Sequence, residues 1–572
     1  MPPTAPPFDV REIPFSFRGS WFDLSPVTGV HETAADLHLV SHQTGMHAVL
    51  ALVPWGAGGR QESEIRAEPS VLTWASSGGE IQAAFESVDT IRLRGRGAGL
   101  RIADAAPVLT PFTGTYFFQD PTDGAAIFTS YETGRRYRVT GLAGELEFDG
   151  AERLGQGRRA VTAHGAEWEI AIEEFDTARP PYRSRATFES IVKKRASDFA
   201  RYREAVAGWA PEDSGATAAL AAYVLWSATV EARGFLHRES ILMSKHWMDK
   251  VWSWDHCFNA LALAPHDIDL AIDQFLVPFD HQGASGALPD SVTHSEVLYN
   301  FVKPPIHGWA LAKLRARGNR EIPRDILLQI HRKLSRWSRF WLDARRAPGR
   351  QLPHYQHGND SGWDNSTMFD LDRLVEAPDL AAFLAIQLGV LADLTVELEL
   401  GDGKAWRKEQ ARIQKALLEQ LWDGTAFHAV GVTSGQASKD SSLLVLMPMI
   451  LGEQLSPEIR ELMAEGVREL LTEWGPATQR LDSAEYEPDG YWRGPIWAPS
   501  TVLIEDGLRR SGMTELADEV SASFRRLCET SGFAENFDAK TGAGLRDRAY
   551  TWTASSYLLL AHDAAAREGV VA

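Results

Sequence analysis

The segment His357-Gly-Asn-Asp-Ser-Gly-Trp-Asp-Asn-Ser-Thr367 carries residue types that could do chemistry on a small polar molecule. It places two acids, Asp360 and Asp364, beside the indole of Trp363, and it has no aliphatic residue. An indole offers a flat apolar face to a sugar ring, and a neighbouring carboxyl group can transfer a proton. Amphipathic stretches on both sides predict a loop between two helices. The alternative is a surface turn whose acids cap the following helix.

A second candidate acid stands near the C-terminus. Glu535 lies between Phe533 and Phe537 in the sequence Phe-Ala-Glu-Asn-Phe-Asp-Ala-Lys-Thr-Gly. Loss of water around a carboxyl group between aromatic rings could hold its pKa near neutrality. The alternative is an ordinary surface glutamate in a β-turn.

Three further loops concentrate tryptophan with charged residues. In the first loop, Trp252 and Trp254 could wall a pocket in which Asp255 accepts hydrogen bonds from paired hydroxyls. Alternatively, both indoles are core anchors and Asp255 is a helix N-cap. In the second, Lys303 could bind an anionic group or be solvated. In the third, Arg493 would be costly to bury without a carboxylate, so we expect a paired acid. The loops are Trp252-Ser-Trp254-Asp255-His256, Lys303-Pro-Pro-Ile-His307-Gly-Trp309 and Tyr491-Trp492-Arg493-Gly-Pro-Ile-Trp497.

Composition limits the class of protein. A chain of 572 residues with 44% hydrophobic and 24% charged residues is expected to form two globular domains. A net charge of -19 argues against nucleic acid or an anionic membrane as a partner and suits a neutral or cationic small molecule. Two cysteines exclude a disulfide framework. Residues 1–14 hold three charges and no apolar run typical of a signal peptide, so we expect a cytoplasmic protein.

The hydrophobic period divides the chain. Up to about residue 180, hydrophobic and polar residues alternate and glycine turns are frequent. This pattern predicts an antiparallel β-sandwich over 1–180. Two prolines follow Arg179, and from Thr187 the period becomes helical. We therefore predict a linker helix within 181–212 and about a dozen helices in 213–572. That number fits an (α/α)6 barrel, although helix count alone does not separate a barrel from an irregular bundle.

The histidines do not predict a metal site. His354 and His357 are three residues apart beside a proline and a glycine, and no pair of histidines with an acid has helical ligand spacing. We therefore do not expect a metal ion, and the oligomeric state stays open.

Taken in order, the loops resemble glycoside hydrolase family 63 and its relatives, including mannosylglycerate and glucosylglycerate hydrolases and, more distantly, trehalases. The resemblance covers about 215–565 and uses five motifs: Trp-Ser-Trp-Asp-His, Lys-Pro-Pro-Ile-His-Gly-Trp, Ser-Gly-Trp-Asp-Asn-Ser, Tyr-Trp-Arg-Gly-Pro-Ile-Trp and Glu-Asn-Phe-Asp. It implies an (α/α)6 barrel, often behind a β-sandwich. It also implies hydrolysis of α-glycosidic bonds with inversion, without a metal or cofactor.

The resemblance makes Asp364 the general acid and Glu535 the general base. An inverting pair of carboxyl groups should lie roughly 6.5–9.5 Å apart, with a water between the base and the sugar. Asp360 departs from the family pattern, which often has glutamate before Ser-Gly, so a substrate contact there could differ. The β-domain is absent from the short mannosylglycerate hydrolases, which leaves that particular substrate open.

Substrate binding is expected from residues of the same loops. They are Trp252, Trp254, Asp255, His256, Lys303, His307, Trp309, Asp360, Gly362, Trp363, Asn365, Tyr491, Trp492, Arg493 and Trp497. Because stacking needs an accessible ring face, we expect at least two of Trp252, Trp254, Trp363 and Trp492 to remain partly exposed.

The sequence thus predicts a hydrolase of a small α-glucosyl- or α-mannosyl-containing substrate, of oligosaccharide or glycosylglycerate type. Two alternatives remain. A sugar epimerase or isomerase on the same barrel would use histidines rather than paired acids. A non-catalytic carbohydrate-binding protein would keep the aromatic loops without needing the acids.

Overall fold

The computed structural model describes residues 6–150, 154–370, 372–438 and 441–569. It forms two compact units. The first comprises residues 1–208, 222–249 and 293–295, and the second comprises 209–221, 250–292 and 296–572.

The first unit is built on antiparallel strands, and its main sheet has thirteen strands within the described residues. The strands are β1 Phe22–Gly29, β2 Glu32–Ser41, β3 His47–Gly56, β4 Gly59–Arg60, β5 Glu64–Glu68, β6 Val71–Ser76, β7 Gly79–Ser87, β8 Thr90–Arg96, β9 Gly99–Asp104, β10 Val108–Leu109, β11 Thr115–Gln119, β12 Ala126–Ser130, β13 Arg136–Gly150, β14 Gly155–Gln156 and β15 Arg159–Phe175. Strands β10 and β14 form a separate pair.

The two longest strands join the halves of this sheet. Strand β15 pairs with β13 along most of its length, while its other edge pairs first with β9 and then with β8. Trp168, Ile170 and Ile172 on β15 are buried, as the alternation predicts, but Ala171 on the opposite face is buried too. Gly95 on β8 permits this packing, because a Cβ there would lie 2.3 Å from the Trp168 ring.

One helix of the first unit packs on the sheet. Helix α1 spans Phe188–Ala207, and its N-cap Thr187 accepts a hydrogen bond from the Ser190 backbone N–H at 3.2 Å. Phe188 and Ile191 at its start pack against Ala84 of β7. This helix lies within the predicted linker region.

The remaining helices include both apolar and amphipathic ones. They are α2 Gly215–Ala228, α3 His256–Leu263, α4 Ile268–Leu276, α5 His307–Arg317, α6 Arg324–Arg339, α7 Gly358–Ser361, α8 Pro378–Glu397, α9 Lys404–Gln420, α10 Pro457–Leu470, α11 Ala498–Arg510, α12 Thr514–Ser531 and α13 Thr551–Arg567, with a 3₁₀ helix at Leu443–Gln454.

Six helical segments of the described chain form a closed inner ring. In order they are α3, α5, α8, the 3₁₀ helix 443–454, α11 and α13; each packs against the next, and α13 packs back against α3. Helices α4, α9, α10 and α12 pack against members of this ring, and so does α6. Together with the β-domain, this confirms the predicted order of an antiparallel β-domain followed by an (α/α)6 barrel.

The position in the barrel explains the composition of each helix. Outer helix α6 buries Leu327, Ile330, Leu334 and Trp337 on one stripe and is otherwise polar. Inner helix α8 is apolar on all sides. Among the described helices of 18 or more residues, it has the length and hydropathy of a membrane span, but 83% of its most apolar window is buried inside the fold, as an inner helix requires.

Candidate active site

The candidate site residues lie in loops that lead into the inner helices. Asp255 immediately precedes α3, Lys303 precedes α5, Tyr491 precedes α11 and Glu535 precedes α13. Asp364 lies in the long connection before α8. Because inner helices alternate with outer ones along the chain, these loops share one end of the barrel. Contacts between the loops, described below, bring their side chains together.

A buried ion pair shapes the loop that carries Asp364. Both carboxylate oxygens of Asp360 are engaged: Oδ1 accepts from the Val302 N–H at 3.0 Å, and Oδ2 accepts from the Gln356 N–H at 2.8 Å and from Arg345 at 2.6 Å. Asp360 therefore positions this loop, and the expectation that it contacts substrate gains no support from the structure. It lies within α7 and caps no helix, so the capping alternative is wrong for Asp360.

Gly362 lets the same loop pass close to an indole. Its φ of +74° is left-handed, and a Cβ there would lie 2.3 Å from the Trp254 ring. Two residues later the Asp364 side chain is 30% exposed. The loop thus packs tightly against Trp254 at Gly362 and keeps the Asp364 carboxyl group accessible.

Lys303 is buried among acids. Its Nζ lies 3.2 Å from Asp290 Oδ1 and 3.8 Å from Asp364 Oδ1, and it donates to the Asn359 carbonyl at 2.8 Å. Burial by itself would lower the pKa of Lys303, but Asp364 and Asp290 raise it above its ordinary value. Lys303 is therefore protonated, and its non-covalent contacts join the loops that carry Asp290 and Asp364. The solvated alternative is wrong.

Asp255 is buried beside this cluster. It is 4% exposed, and burial raises its pKa to about 8 even though the charge of Lys303 opposes the shift. Its side chain makes no N-cap hydrogen bond to α3, so the capping alternative is wrong. Oδ2 is buried and accepts no hydrogen bond from the described residues, which leaves that oxygen able to accept one from a hydroxyl.

Glu535 is buried near Tyr491. It is 3% exposed, which excludes the surface-turn alternative. Burial raises the pKa of Glu535 to about 8, with Asp547 adding to the shift and Arg546 opposing it. The Glu535 backbone N–H donates to the Asp547 carbonyl at 2.7 Å. The charge of Asp364 also raises the pKa of Glu535, so the two carboxyl groups interact electrostatically.

Tyr491 hydrogen-bonds one of the two carboxyl groups and interacts electrostatically with the other. Its hydroxyl donates to Asp364 Oδ2 at 3.4 Å. Burial raises the pKa of Tyr491 well above its ordinary value, and the charges of Asp364 and then Glu535 raise it further. Its hydroxyl thus stays protonated and available as a donor beside both acids.

Arg546 holds the Tyr491 loop against the Glu535 loop. Its guanidinium lies over the Tyr491 ring at 5.0 Å, pairs with Asp489 at 2.7 Å and donates to Asn536 Oδ1 at 2.9 Å. Tyr491 and Arg546 have φ values of 63° and 60°, a left-handed conformation that is uncommon outside glycine. Two unfavourable backbone conformations thus face each other at the site, held by the surrounding contacts.

The tryptophans form a closely packed layer of rings and do not line an open pocket. Trp492 stacks on Trp497 with ring centroids 4.0 Å apart, and Trp363 lies 4.6 Å from Trp492. Trp254, Trp363 and Trp492 are at most 2% exposed, and only Trp252 of the four expected rings is partly exposed. The expectation of at least two accessible rings was wrong, because the barrel loops pack these indoles against one another.

Several other predicted residues are also buried in the framework. The His307 Nε2 lies 2.9 Å from the Ser253 carbonyl, and burial lowers the pKa of His307 to about 4. Trp309 is fully buried and donates to Asp506 of α11 at 2.7 Å. The His256 Nδ1 lies 3.0 Å from the Trp252 carbonyl. These contacts pack the three side chains against the surrounding protein, and their role in substrate binding stays a prediction.

Asn365 and Arg493 join two of the loops. Asn365 Oδ1 accepts from the Trp492 N–H at 3.0 Å, and Arg493 donates to the Asn365 carbonyl at 2.8 Å. Arg493 also pairs with Asp370 at 2.7 Å. The predicted acid partner of Arg493 is confirmed.

The sequence interpretation missed four members of the site. Asp290 binds Lys303, Asp547 borders Glu535, and Arg546 pairs with Asp489. Their sequence neighbours resemble ordinary turns and charge pairs, so no local pattern distinguishes them. Among the described residues, no group of three or more histidine, cysteine, aspartate or glutamate side chains is arranged to hold a metal ion.

An (α/α)6 barrel with buried carboxyl groups at the loop end of its inner helices has the paired acids that hydrolysis of a glycosidic bond requires. The model of the mannosylglycerate hydrolase MGH1-like glycoside hydrolase domain matches residues 248–553, more than half of the chain. The chain belongs to this family and is a glycoside hydrolase, which confirms the resemblance seen in the loop motifs.

Individual relatives are distant. A mannosylglycerate hydrolase from Rubrobacter radiotolerans is 24% identical, over 54% of this chain and 89% of its own. A glucosylglycerate hydrolase from Mycolicibacterium hassiacum is 22% identical, over 54% of this chain and 91% of its own. The crystal structure of a family 63 mannosylglycerate hydrolase from Thermus thermophilus in complex with glucose superposes with a TM-score of 0.54 at 22% identity. That superposition covers 59% of this chain and 98% of the other. This structural likeness supports the fold alone.

Proposed function

We propose that this chain is an inverting α-glycoside hydrolase that cleaves a small glucosyl- or mannosyl-containing molecule. Asp364 is the general acid and Glu535 the general base. The catalytic domain is 213–572, within which the family match falls. The observation that carries the proposal is the position of the Tyr491 hydroxyl, which donates to Asp364 and is influenced by the charge of Glu535.

Asp364 suits the role of acid because it is the accessible carboxyl group of the pair. Proton transfer from Asp364 to the glycosidic oxygen lets the aglycone leave as a neutral alcohol. The Tyr491 hydrogen bond orients one carboxyl oxygen and stabilises the carboxylate that forms as the proton departs. Lys303 Nζ, 3.8 Å from Asp364 Oδ1, favours the same charge.

Glu535 suits the role of base because its pKa is raised to about 8. A more basic carboxylate takes a proton from water more readily than one of ordinary pKa. In an inverting reaction the activated water attacks the anomeric carbon on the face opposite the leaving group. Its proton goes to Glu535 while Asp364 loses its own, so one turnover exchanges the protonation states of the two groups.

The relatives guide the choice of sugar and aglycone. They are named as hydrolases of mannosylglycerate and glucosylglycerate, so glucosyl and mannosyl compounds with three-carbon aglycones are the first to test. Neutral α-linked disaccharides complete the set.

The test is hydrolysis of this set by purified protein, with released sugar as the readout. Proton NMR of the first product should show the β-anomer of the sugar, because inversion at an α-glycoside produces it. Initial release of the α-anomer would instead establish retention. Absence of hydrolysis across the whole set would overturn the proposed function.

A further inference from the structure

We propose that the β-domain holds a sugar-binding site of its own, a cavity that takes a neutral mono- or disaccharide through its hydroxyl groups. The cavity lies within the first compact unit and uses none of the residues of the candidate active site. The inference therefore goes beyond the proposed hydrolysis and does not depend on it.

The cavity has the size and the mixed lining of a small-molecule site. Its volume is about 380 Å³, and strands β1, β2, β3, β11 and β12 all contribute to it. Small-molecule pockets commonly measure about 300–1,000 Å³. Met46, Val49 and four alanines make half of the lining residues apolar, and the other half carry hydroxyl, imidazole or carboxyl groups. Such a lining suits a sugar ring, which has apolar C–H faces and hydroxyl groups at its edge.

Two histidines supply hydrogen-bond acceptors. His38 Nδ1 lies 3.0 Å from the Asp36 carbonyl, and His47 Nε2 lies 3.2 Å from the Thr44 carbonyl. A carbonyl can only accept, so each of these nitrogens donates, and in the neutral ring the other nitrogen is an acceptor. That second nitrogen has no partner among the described residues and is not buried. Burial lowers the pKa of His38, which favours its neutral form.

Glu132 adds a carboxylate to these acceptors. Its Oε1 accepts from the Gly114 N–H at 2.7 Å, and its Oε2 accepts from the Ser130 hydroxyl at 3.4 Å. A carboxylate has about four acceptor positions, so these two bonds leave room for hydroxyl donors from a ligand. Among the described residues that line the cavity, Glu132 is the one acid, and there is no lysine or arginine.

The loops around the cavity are tied together without a ligand. The Thr44 hydroxyl donates to the Glu132 carbonyl at 2.9 Å, and the Ala105 N–H donates to the Val49 carbonyl at 3.0 Å. Gly114 has a left-handed φ of +91°, and a Cβ there would lie 2.5 Å from the carbonyl oxygen of Val108. The cavity is thus formed in advance, which reduces the entropy lost on binding.

This arrangement selects the class of ligand. A fully apolar ligand would leave the imidazole nitrogens and the Glu132 carboxylate without the hydrogen bonds that water gives them, which is costly. An anion would face Glu132 with no lysine or arginine in the lining to offset the repulsion. A neutral sugar supplies several hydroxyl donors and brings no charge.

The test follows the two imidazoles by NMR in the full chain with histidine labelled with ¹⁵N. The Glu535→Gln variant prevents turnover, and His38→Gln and His47→Gln assign the two sets of signals. D-glucose, D-mannose and maltose are the probes. For at least one of them, we expect saturable shifts of both histidines with a common Kd. His164 on β15, whose side chain is 41% exposed outside the cavity, should not shift.

Charge selectivity is tested with D-glucuronate, which keeps the pyranose ring but carries a carboxylate. We expect it to bind about tenfold more weakly than glucose, because Glu132 repels it. Glu132→Gln should weaken glucose binding about tenfold and also reduce the disadvantage of glucuronate. A merely structural defect would weaken both ligands equally. The matched control is Glu62→Gln, which changes a side chain that is 87% exposed and should leave both Kd values unaltered.

A second variant tests the volume of the cavity without changing its charge. Ala48→Leu places three more carbon atoms into the space that the sugar would occupy, so the shifts of His38 and His47 should be lost. Shifts that persist with the same Kd in both Ala48→Leu and Glu132→Gln would place the sugar elsewhere and overturn the proposal.

The remaining outcomes are equally decisive. No shift of either histidine with any of the three sugars would overturn the proposal, and so would glucuronate binding as tightly as glucose. Failure to hydrolyse any α-glycoside would overturn the proposed function alone, because binding in the β-domain is measured without turnover.

Discussion

The hydroxyl of Tyr491 donates a hydrogen bond to Asp364 Oδ2 across 3.4 Å, although the two residues are 127 positions apart in the chain. The Tyr491 carbonyl accepts from the Trp497 indole N–H at 2.8 Å, and the two rings pack edge to face at 5.0 Å. Its left-handed backbone is thus held on two sides. The contact gives the accessible carboxyl group of the site a defined orientation.

We expect Tyr491→Phe to lower kcat by about tenfold, because hydrogen bonds to charged groups contribute about 1.5–3 kcal/mol and this one is long. The ring packing on Trp497 should be retained. Steady-state kinetics on the best substrate measures the effect. The control is Tyr486→Phe: the Tyr486 hydroxyl is buried and has no hydrogen-bond partner among the described residues, so activity should change little. Equal activity of Tyr491→Phe and the wild type would remove Tyr491 from the mechanism.

Asp364→Asn and Glu535→Gln should each lower kcat by about 10²–10⁴-fold or more while folding normally. A glycosyl fluoride needs little protonation of its leaving group, so it should restore Asp364→Asn far more than Glu535→Gln. Kinetics on both substrates measures this. The exposed Asp482→Asn serves as control and should resemble the wild type. Rescue of Glu535→Gln alone would exchange the two roles, and normal activity of both variants would place the catalytic pair elsewhere.

The pH dependence follows from the ionisation of Glu535. Burial raises its pKa to about 8, and a general base acts only when deprotonated. Activity of the free enzyme should therefore rise as pH increases toward about 8. The profile of log kcat/KM against pH measures this acidic limb, and Glu535→Gln should lose it. A rate that falls as pH rises through this region would make Glu535 the proton donor.

Replacing Arg546 should shift the acidic limb of the profile of log kcat/KM against pH. Its positive charge lowers the pKa of Glu535 against the effects of burial and Asp547. Arg546→Met should therefore raise the pKa of the base, shift the acidic limb to higher pH and reduce activity below pH 8 several-fold. Arg546→Lys keeps the charge and should shift the limb less. Identical profiles for Arg546→Met and the wild type would contradict this role.

The stability of the Asp364 loop should depend on the ion pair between Asp360 and Arg345. Asp360 is 1% exposed and lies 2.6 Å from Arg345. Arg345→Met leaves this acid buried without its cation, which should cost about 3–5 kcal/mol of unfolding free energy. Chemical denaturation measures the change. Arg320→Met removes the exposed partner of Asp269 and should cost under about 1 kcal/mol. Similar losses in both variants would refute a special role for Asp360.

Local patterns in the sequence determined the secondary structure and the family. The alternation around Trp168 predicted its strand, and the change of period after Thr187 predicted helices, because each pattern reflects which side chains face a core. Asp364 and Glu535 could be named as candidates since each stands in a polar or aromatic loop of distinctive composition. The predicted acid partner of Arg493 followed from the energetic cost of burying an unpaired charge.

Closure of the barrel determined the burial and the long-range contacts of the site residues, which no local sequence pattern contains. It buried the rings of Trp254 and Trp492, so the expectation that at least two of the four rings are accessible was wrong. It also brought Arg546 to Tyr491 and Tyr491 to Asp364. Composition can show that a residue is able to form a contact, but its partner is chosen by the packing of helices far apart in the chain. The burial and charge of each acid, and with them its pKa, therefore belong to the tertiary structure.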